Sequence, residues 1–324
     1  MSKFARQLNN LEKLEQRTNE PLPQWWTDLL SLWRPSGVSA GDDGLRLAIR
    51  DGYLNFYRCG QSIANVKIDR NGIPHAITHC KYVYGRSDKS LGQKYVQLRG
   101  DCIFRSGEKV QSYSTINDVA KWISRVNGDP SSKGFSGDEK KFVDELVTAN
   151  PNIIDLEMGL PAEDGGKRRA PRIDLVAIEA GKVVFWEAKL VKDGRMRTRG
   201  DVVLDGAEKM PEVLNQLHDY KEFLAVPANR ELVATAYKET FNILSRLWKL
   251  AGRSDSNPAI WAPGIQPNDL GVNPYPRLVI DNRSDNKSWP KHAGRLDEAK
   301  VPMLPIGPDD SLVLRIPSVL RSPS

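Results

Sequence analysis

The stretch PRIDLVAIEAGKVVFWEAKL, residues 171–190, sets Asp174, Glu187 and Lys189 inside two runs of apolar residues. Two carboxylates held side by side repel each other, by roughly 0.2–1 kcal/mol when solvated, and by more once water is removed. Such a pair calls for a counterion. Hard divalent cations, Mg2+ or Mn2+, take carboxylate and carbonyl oxygens, so Asp174, Glu187 and the carbonyl of Ala188 form a candidate ligand set. A cation there could polarise a phosphoryl oxygen and lower the pKa of a bound water. Lys189 could orient that water or stabilise charge developing on a phosphate. Together these are the parts of metal-assisted phosphodiester hydrolysis.

The positioning depends on a hairpin. With Ala180-Gly181 as a two-residue turn, Glu179 faces Lys182, and counting back along both strands brings Asp174 opposite Glu187. Side chains alternate faces along a strand. One face then carries Arg172, Asp174, Val176 and Ile178 against Val183, Phe185, Glu187 and Lys189. The other carries Ile173, Leu175 and Ala177 against Val184, Trp186, Ala188 and Leu190. Apolar residues on both faces predict a sheet covered on both sides. A bulge at the turn would shift this register by one.

Asp174 followed by Glu187-Ala188-Lys189 resembles the D…(D/E)-x-K signature of the PD-(D/E)XK nuclease superfamily. Pro171 lies three residues before the Asp, where the signature has its Pro adjacent. On the following helix, Gln216-Leu-His-Asp-Tyr220 resembles the Q-x-x-x-Y element of the RecB-like branch; residues i and i+4 share a helix face. Upstream, EKKFVDELVTANPNIID resembles the helix and Asn-Pro turn that precede the first core strand in NucS-like nucleases. The resemblance covers about residues 136–225, and 270–315 loosely. It implies a restriction-endonuclease-like core, a mixed sheet flanked by helices. Asp174 and Glu187 would hold Mg2+ or Mn2+, with help from Ala188 and Glu139, and Lys189 would serve the water. Gln216 and Tyr220 would support the site or the strand being cut. The implied activity is that of a nuclease acting on DNA rather than RNA, as an endonuclease rather than an exonuclease, with defence against foreign DNA as a possible setting. A catalytically silent module binding nucleic acid or a protein is the alternative.

Several residues have a second explanation. A D-x(12)-E-x-K pattern also arises from surface salt bridging. Ser136-x-x-Glu139 has the form of a capping box, while Glu139 also continues the stripe Phe142, Val143, Leu146; both readings stay open. Lys167, Arg168, Arg169 and Arg172 precede the hairpin strands, and Lys192, Arg195, Arg197 and Arg199 follow them. They bracket the candidate site and suit phosphate contacts, though charge runs are commonly solvated loops. His75, His79 and Cys80 do not form a metal site on this reading, because i and i+4 on a strand lie about 13 Å apart. The stripe Val233, Tyr237, Phe241, Leu244, Trp248 reads as core or subunit contact.

The remainder of the chain sets the frame. Its 324 residues, 40% hydrophobic and 27% charged, suit two or three globular domains with a core of their own. Three cysteines without C-x-x-C spacing predict reduced thiols. No apolar run reaches membrane-spanning length, and the charged start MSKFARQLNNLEKLEQ lacks a signal-peptide core, so a cytoplasmic protein without a membrane partner is expected. The net charge of +6 is compatible with a polyanionic partner.

A helix is predicted over 23–33, an antiparallel meander over roughly 44–100 punctuated by Asp51-Gly52, Cys59-Gly60 and Asn71-Gly72, and a helix over 114–126. Residues 127–137 have linker composition. Beyond lie helix 138–149, a strand near 153–156, the hairpin, helices about 207–225 and 229–251, a strand over 276–282, a short helix near 291–299, and strands over 301–306 and 311–316. The fold class is therefore α/β: a smaller β-rich N-terminal domain over 1–130, for recognition, regulation or assembly, and a nuclease-like domain over 131–324. That N-terminal domain could itself be the main functional part. A homo-oligomer or a regulatory protein partner is compatible with this arrangement.

Overall fold

The computed structural model describes residues 4–17, 20–85, 94–127, 135–161, 172–196, 211–253, 269–284, 287 and 289–317. The chain is mixed α/β and divides into two compact units. One comprises Ala5–Gly134 and Ala236–Trp261; the other comprises Met1–Phe4, Phe135–Thr235 and Ala262–Ser324. Among the described residues no helix is long and apolar enough to cross a membrane. Cys59, Cys80 and Cys102 are free thiols.

The first unit begins with helices α1 (Leu11–Gln16) and α2 (Gln24–Leu32) and continues into a seven-stranded sheet. Strands β1 (Arg46–Arg50), β2 (Tyr53–Arg58), β3 (Gln61–Ile68), β4 (Pro74–His79), β5 (Tyr95–Arg99), β6 (Cys102–Arg105) and β7 (Glu108–Ser112) follow one another in chain order. Each pairs antiparallel with the next. The expected meander is present and extends past residue 100 by two strands. Its Cys59-Gly60 and Ser106-Gly107 turns hold both central residues at positive φ, the backbone twist that suits a tight hairpin.

Helix α3 (Cys80–Tyr84) leaves β4, and α4 (Ile116–Asn127) packs on β3 and α2. Within the helix expected over 23–33, a stripe with two tryptophans is core: Trp25, Trp26, Leu29 and Leu30 of α2 are all buried. The buried Tyr113 hydroxyl donates to the Asp28 carboxylate at 2.6 Å, so the one acid on that stripe is satisfied. His75 and His79 are engaged locally. The former meets Asp69 at 3.1 Å, and the latter accepts the Lys81 backbone N–H.

The second unit is built on helix α5 (Phe135–Ala149) and strands β8 (Ile153–Gly159), β9 (Arg172–Glu179) and β10 (Lys182–Leu190). Helices α6 (Glu212–Ala225) and α7 (Pro227–Leu250) come next, then β11 (Gly271–Val272), β12 (Arg277–Asp281), α8 (Trp289–Glu298) and β13 (Met303–Ile306). Residues 207–210 of the expected helix lie outside the described residues. From Ala236 onward α7 belongs to the first unit, where Tyr237, Phe241 and Leu244 are buried.

The sheet runs β13-β12-β10-β9-β8, with β11 alongside the start of β10. β9 is antiparallel to both β8 and β10, whereas β10, β12 and β13 are parallel, so the sheet is mixed. One face buries Leu175, Ala177, Val184, Trp186 and Ala188 against Phe142, Leu146 and Val147 of α5. The other buries Leu278, Ile280 and Met303 against Val213, Leu214 and Leu217 of α6 and Leu296 of α8. Both faces are covered, as the two apolar strands predict.

Residues 311–316 do not form the expected strand. Their backbone is held instead by the buried Asn150 side chain. Its Oδ1 accepts the Leu314 N–H at 2.7 Å, and its Nδ2 donates to the Leu312 carbonyl at 2.9 Å and to Leu146 at 2.7 Å. The segment thereby satisfies its polar groups without joining the ladder, and Leu314 closes the α5 side of the core.

Asn150→Ala removes all three bonds from a buried site. We expect it to lower the free energy of unfolding by about 2–3 kcal/mol, read from the urea midpoint at unchanged slope. A loss below about 0.5 kcal/mol would show that the C-terminal segment is not anchored there.

Candidate active site

The hairpin closes as its sequence predicts. Glu179 pairs with Lys182 and Leu175 with Trp186 in continuous register, around Ala180 and Gly181 at φ 45° and 75°. The β9–β10 ladder then stops at Trp186. Past that point β9 continues beside β8, Met158 pairing with Ile173 and Gly159 with Arg172. β10 continues beside β12, from Trp186↔Arg277 to Leu190↔Asp281. Asp174 and Glu187 stand where the two strands part.

The parting leaves the Ala188 N–H without a ladder carbonyl on the β9 side. The Asp174 side chain takes that place, its Oδ2 accepting the Ala188 N–H at 2.8 Å. A charged acceptor makes this bond stronger than the ladder bond it replaces, and it fixes one carboxylate oxygen in position.

Lys189 occupies the centre. Its side chain is 1% exposed and that of Glu187 is 2% exposed. Its ammonium donates to Glu187 Oε1 and to the Ala188 carbonyl at 2.9 Å. Asp174 Oδ2 lies 3.7 Å from the same nitrogen and Glu139 Oε1 4.0 Å. Glu139 comes from the first turns of α5 and is shared with Arg195, whose guanidinium meets it at 2.8 Å. Arg195 also grips the buried Asp193, at 2.6 Å and 3.0 Å, on the 3-10 turn after β10.

Four carboxyl groups thus face two cations, an excess of two negative charges if all are ionised. Burial pushes the Glu187 carboxyl up to about 8; the Asp174 charge adds to this, and Lys189 only partly opposes it. Burial also raises Glu139, with Lys189 pulling the other way. Burial alone would lower Lys189, but Asp174, Glu187 and Glu139 together hold it above its ordinary value. Both members of the Lys189–Glu187 pair are therefore displaced upward. Lys189 stays an ammonium, and Glu187 holds its proton well above the ordinary carboxyl range.

The donor chemistry fits a hard divalent cation. The second Glu187 oxygen, Oε2, is buried and has no hydrogen-bond partner among the described residues. Asp174, Glu187 and the Ala188 carbonyl supply oxygen ligands only, the donor type that such an ion takes. Among the described residues no three His, Cys, Asp or Glu side chains converge as a ready-made cage. The cation that the acids hold is the Lys189 ammonium.

The other predicted residues distribute as follows. Tyr220 is buried against Phe185, with ring centroids 6.0 Å apart, and its hydroxyl donates to the Met158 carbonyl at 2.7 Å. It ties α6 to β8 on the sheet face that carries Lys189. Gln216 is half-buried, with Oε1 shielded and without a partner among the described residues. Arg172 is exposed, 3.9 Å from Glu157, and Lys192 pairs with Asp138 at 2.9 Å. Arg168, Arg169, Arg197 and Arg199, with Lys167, lie outside the described residues.

Helix α5 begins at Phe135, ahead of Ser136, so Ser136 does not stand at the N-cap; the Glu139 carboxylate is given to Arg195 and Lys189. Asp193 escaped sequence reading, because the Asp-Gly-Arg run 193–195 looks like an ordinary basic loop. Its only signal was a carboxylate two residues from an arginine.

In comparisons with known proteins, no family model, no curated protein and no solved structure matched the chain. The site therefore has to be read from its own geometry.

The Glu187 shift predicts a pH dependence. Between its ordinary value of 4.5 and about 8, the folded protein holds this proton more tightly than the unfolded chain. Stability from this group is present at low pH and lost as pH rises through that window. With chelator present, the wild-type Tm should fall between about pH 5 and about pH 8.5, and Glu187→Gln should flatten the fall. Parallel curves for the two proteins would rule the buried acid out as its source.

Proposed function

We propose that this protein is a metal-dependent nuclease with a PD-(D/E)XK-type active site. One observation carries the reading: Asp174, Glu187 and Lys189 converge where β9 and β10 part, with a buried Glu187 oxygen that has no partner among the described residues. A structural salt bridge needs one acid for one base. This cluster spends several carboxylates on one ammonium and still holds an orphan oxygen, an arrangement that favours chemistry over stability.

Asp174, Glu187 and the Ala188 carbonyl would hold Mg2+ or Mn2+. When bound, such an ion supplies a polarised phosphoryl oxygen and a more acidic water. Asp174 is held by the Ala188 N–H, so one of its oxygens is fixed before any ligand arrives. Lys189 is a buried ammonium whose donors reach Glu187 and the Ala188 carbonyl; it orients the attacking water and offers positive charge to a phosphate oxygen. Glu139 supports the ammonium, and Arg195, clamped by Asp193, positions Glu139. Tyr220 fixes the α6 layer over the same face. DNA cut internally is the proposed substrate, with defence against foreign DNA as the biological setting and the cytoplasm as its place.

One observation favours a second reading. The Lys189 ammonium already touches the candidate ligands, and no ready-made cage stands among the described residues. On that reading the unit is a silent nuclease-like module that binds without cutting.

Cleavage of plasmid, linear duplex, single-stranded DNA and RNA with Mg2+, Mn2+ or chelator separates the two. We expect metal-dependent cutting of plasmid, abolished by Asp174→Ala and reduced on the order of 10²–10⁴-fold by Lys189→Ala, in proteins whose circular dichroism shows them folded. A folded Lys189→Ala protein cutting at the wild-type rate would refute the assignment. Absence of both cutting and calorimetric Mn2+ binding would favour the silent module.

A further inference from the structure

In the seven-stranded sheet of the first unit β1 and β2 are buried on both faces, Tyr53 apart, whereas β3, β4 and β5 leave one face open. Along β3, β4 and β5 burial alternates: Val66, Ala76, Val96 and Leu98 are buried, while the residues between them point outward. The register sorts these outward residues into rows. Lys67 pairs with His75 and His75 with Arg99. Asn65 pairs with Ile77 and Ile77 with Gln97 in the next row, and His79 with Tyr95 in the one after. A hollow of about 610 Å³ opens over the first two rows, bounded also by Tyr53 of β2.

The first row is the unusual one. Three basic side chains stand directly opposite one another on neighbouring strands, an arrangement that repels. His75 finds Asp69 at 3.1 Å, and the Arg99 guanidinium is steered over the second row by Gln97 at 2.6 Å. No acidic side chain lines the hollow among the described residues. Lys67 and Arg99, two exposed cations flanking the Asp69-paired His75 on an open surface, are complementary to a polyanion.

Beside it stand flat side chains. Tyr53 borders the hollow, and Tyr95 is 53% exposed one row beyond the amides. Its ring is braced by His79 at 5.4 Å in an edge-on contact that leaves a face open. Amides at Asn65 and Gln97 lie between the basic row and this tyrosine. Basic groups that track phosphates, with aromatic rings on which bases stack, make the surface that single-stranded nucleic acid needs and that a duplex, its bases already stacked, cannot use.

We infer that the open face of β3–β5, with Tyr53 at its border, is a binding surface for single-stranded nucleic acid, with Lys67 and Arg99 on the phosphates and Tyr53 and Tyr95 under the bases. This holds whether or not the second unit cuts.

The test uses the full chain with chelator, so that nothing is cleaved, and fluorescence anisotropy of a fluorescein-labelled oligo-dT. Wild type should bind, and bind single strand more tightly than duplex of equal length. Lys67→Ala and Arg99→Ala should each weaken binding about tenfold and lower the slope of log affinity against log salt by about 0.7. Tyr95→Ala should weaken binding about tenfold with the slope unchanged. These side chains are exposed, so their replacement leaves the fold intact, as thermal melts would verify. Failure of the wild type to bind would overturn the inference. So would binding that none of the three substitutions alters, which would place the nucleic acid elsewhere on the chain. Equal affinity for duplex, with Tyr95→Ala unaffected, would overturn it as well.

Discussion

A buried ammonium must be surrounded by acceptors, because an isolated charge out of water costs far more than a domain can spare. In the second unit that ammonium is Lys189, and much of the local architecture answers to it. Its acceptors come from three places: Asp174 on β9, Glu187 and the Ala188 carbonyl on β10, and Glu139 on α5. They can meet only because the β9–β10 ladder ends at Trp186 and each strand continues with a different partner. Were the ladder to continue, the Ala188 N–H would take a backbone carbonyl, and Asp174 would lose the bond that fixes its carboxylate.

A second buried ion pair near the other end of β10 offers a contrast. Arg277 meets Glu179 and lies over the Trp186 ring at 5.2 Å, while the Trp186 indole N–H donates to the same Glu179 carboxylate at 2.7 Å. One acid serves one base, and an aromatic face covers the guanidinium. The Lys189 cluster keeps excess acid and a raised Glu187; among the described residues each of the two places has one buried polar atom without a hydrogen-bond partner, Arg277 Nε and Glu187 Oε2. The sheet thus holds one buried pair matched acid to base, between β12 and β9, and one cluster with more acid than base. That difference, rather than the presence of charge, marks the second as a candidate site.

The first unit applies a related principle at its surface. At β3–β5 its sheet packs through one face, where Val66, Ala76, Val96 and Leu98 are buried. The other face of these strands is open and holds Lys67, His75 and Arg99 in one row. Repulsion that would be costly in the core is tolerable beside water, where solvent screens it.

The sequence alone determined the hairpin, its register and its two apolar faces. Ala180-Gly181 permits a tight turn, and alternation of side chains along a strand then fixes who faces whom. It likewise determined the antiparallel meander, through Asp-Gly, Cys-Gly and Asn-Gly turns, and the tryptophan stripe of α2. All of these rest on contacts between residues close in the chain. What only the tertiary structure decided depends on partners far apart in sequence. Residues 311–316 have strand-like alternation, yet Asn150, more than 160 residues earlier, takes their backbone groups. Glu139 could serve equally as a helix cap or a site acid until folding set it beside Arg195 and Lys189. The Tyr220 hydroxyl could point at a substrate or at the fold; the place of Met158 on β8 gave it a backbone carbonyl. Asp193 looked like part of a solvated basic loop until the turn after β10 buried it against Arg195. Local periodicity specifies elements, but it carries no information about which distant polar group will satisfy a buried one.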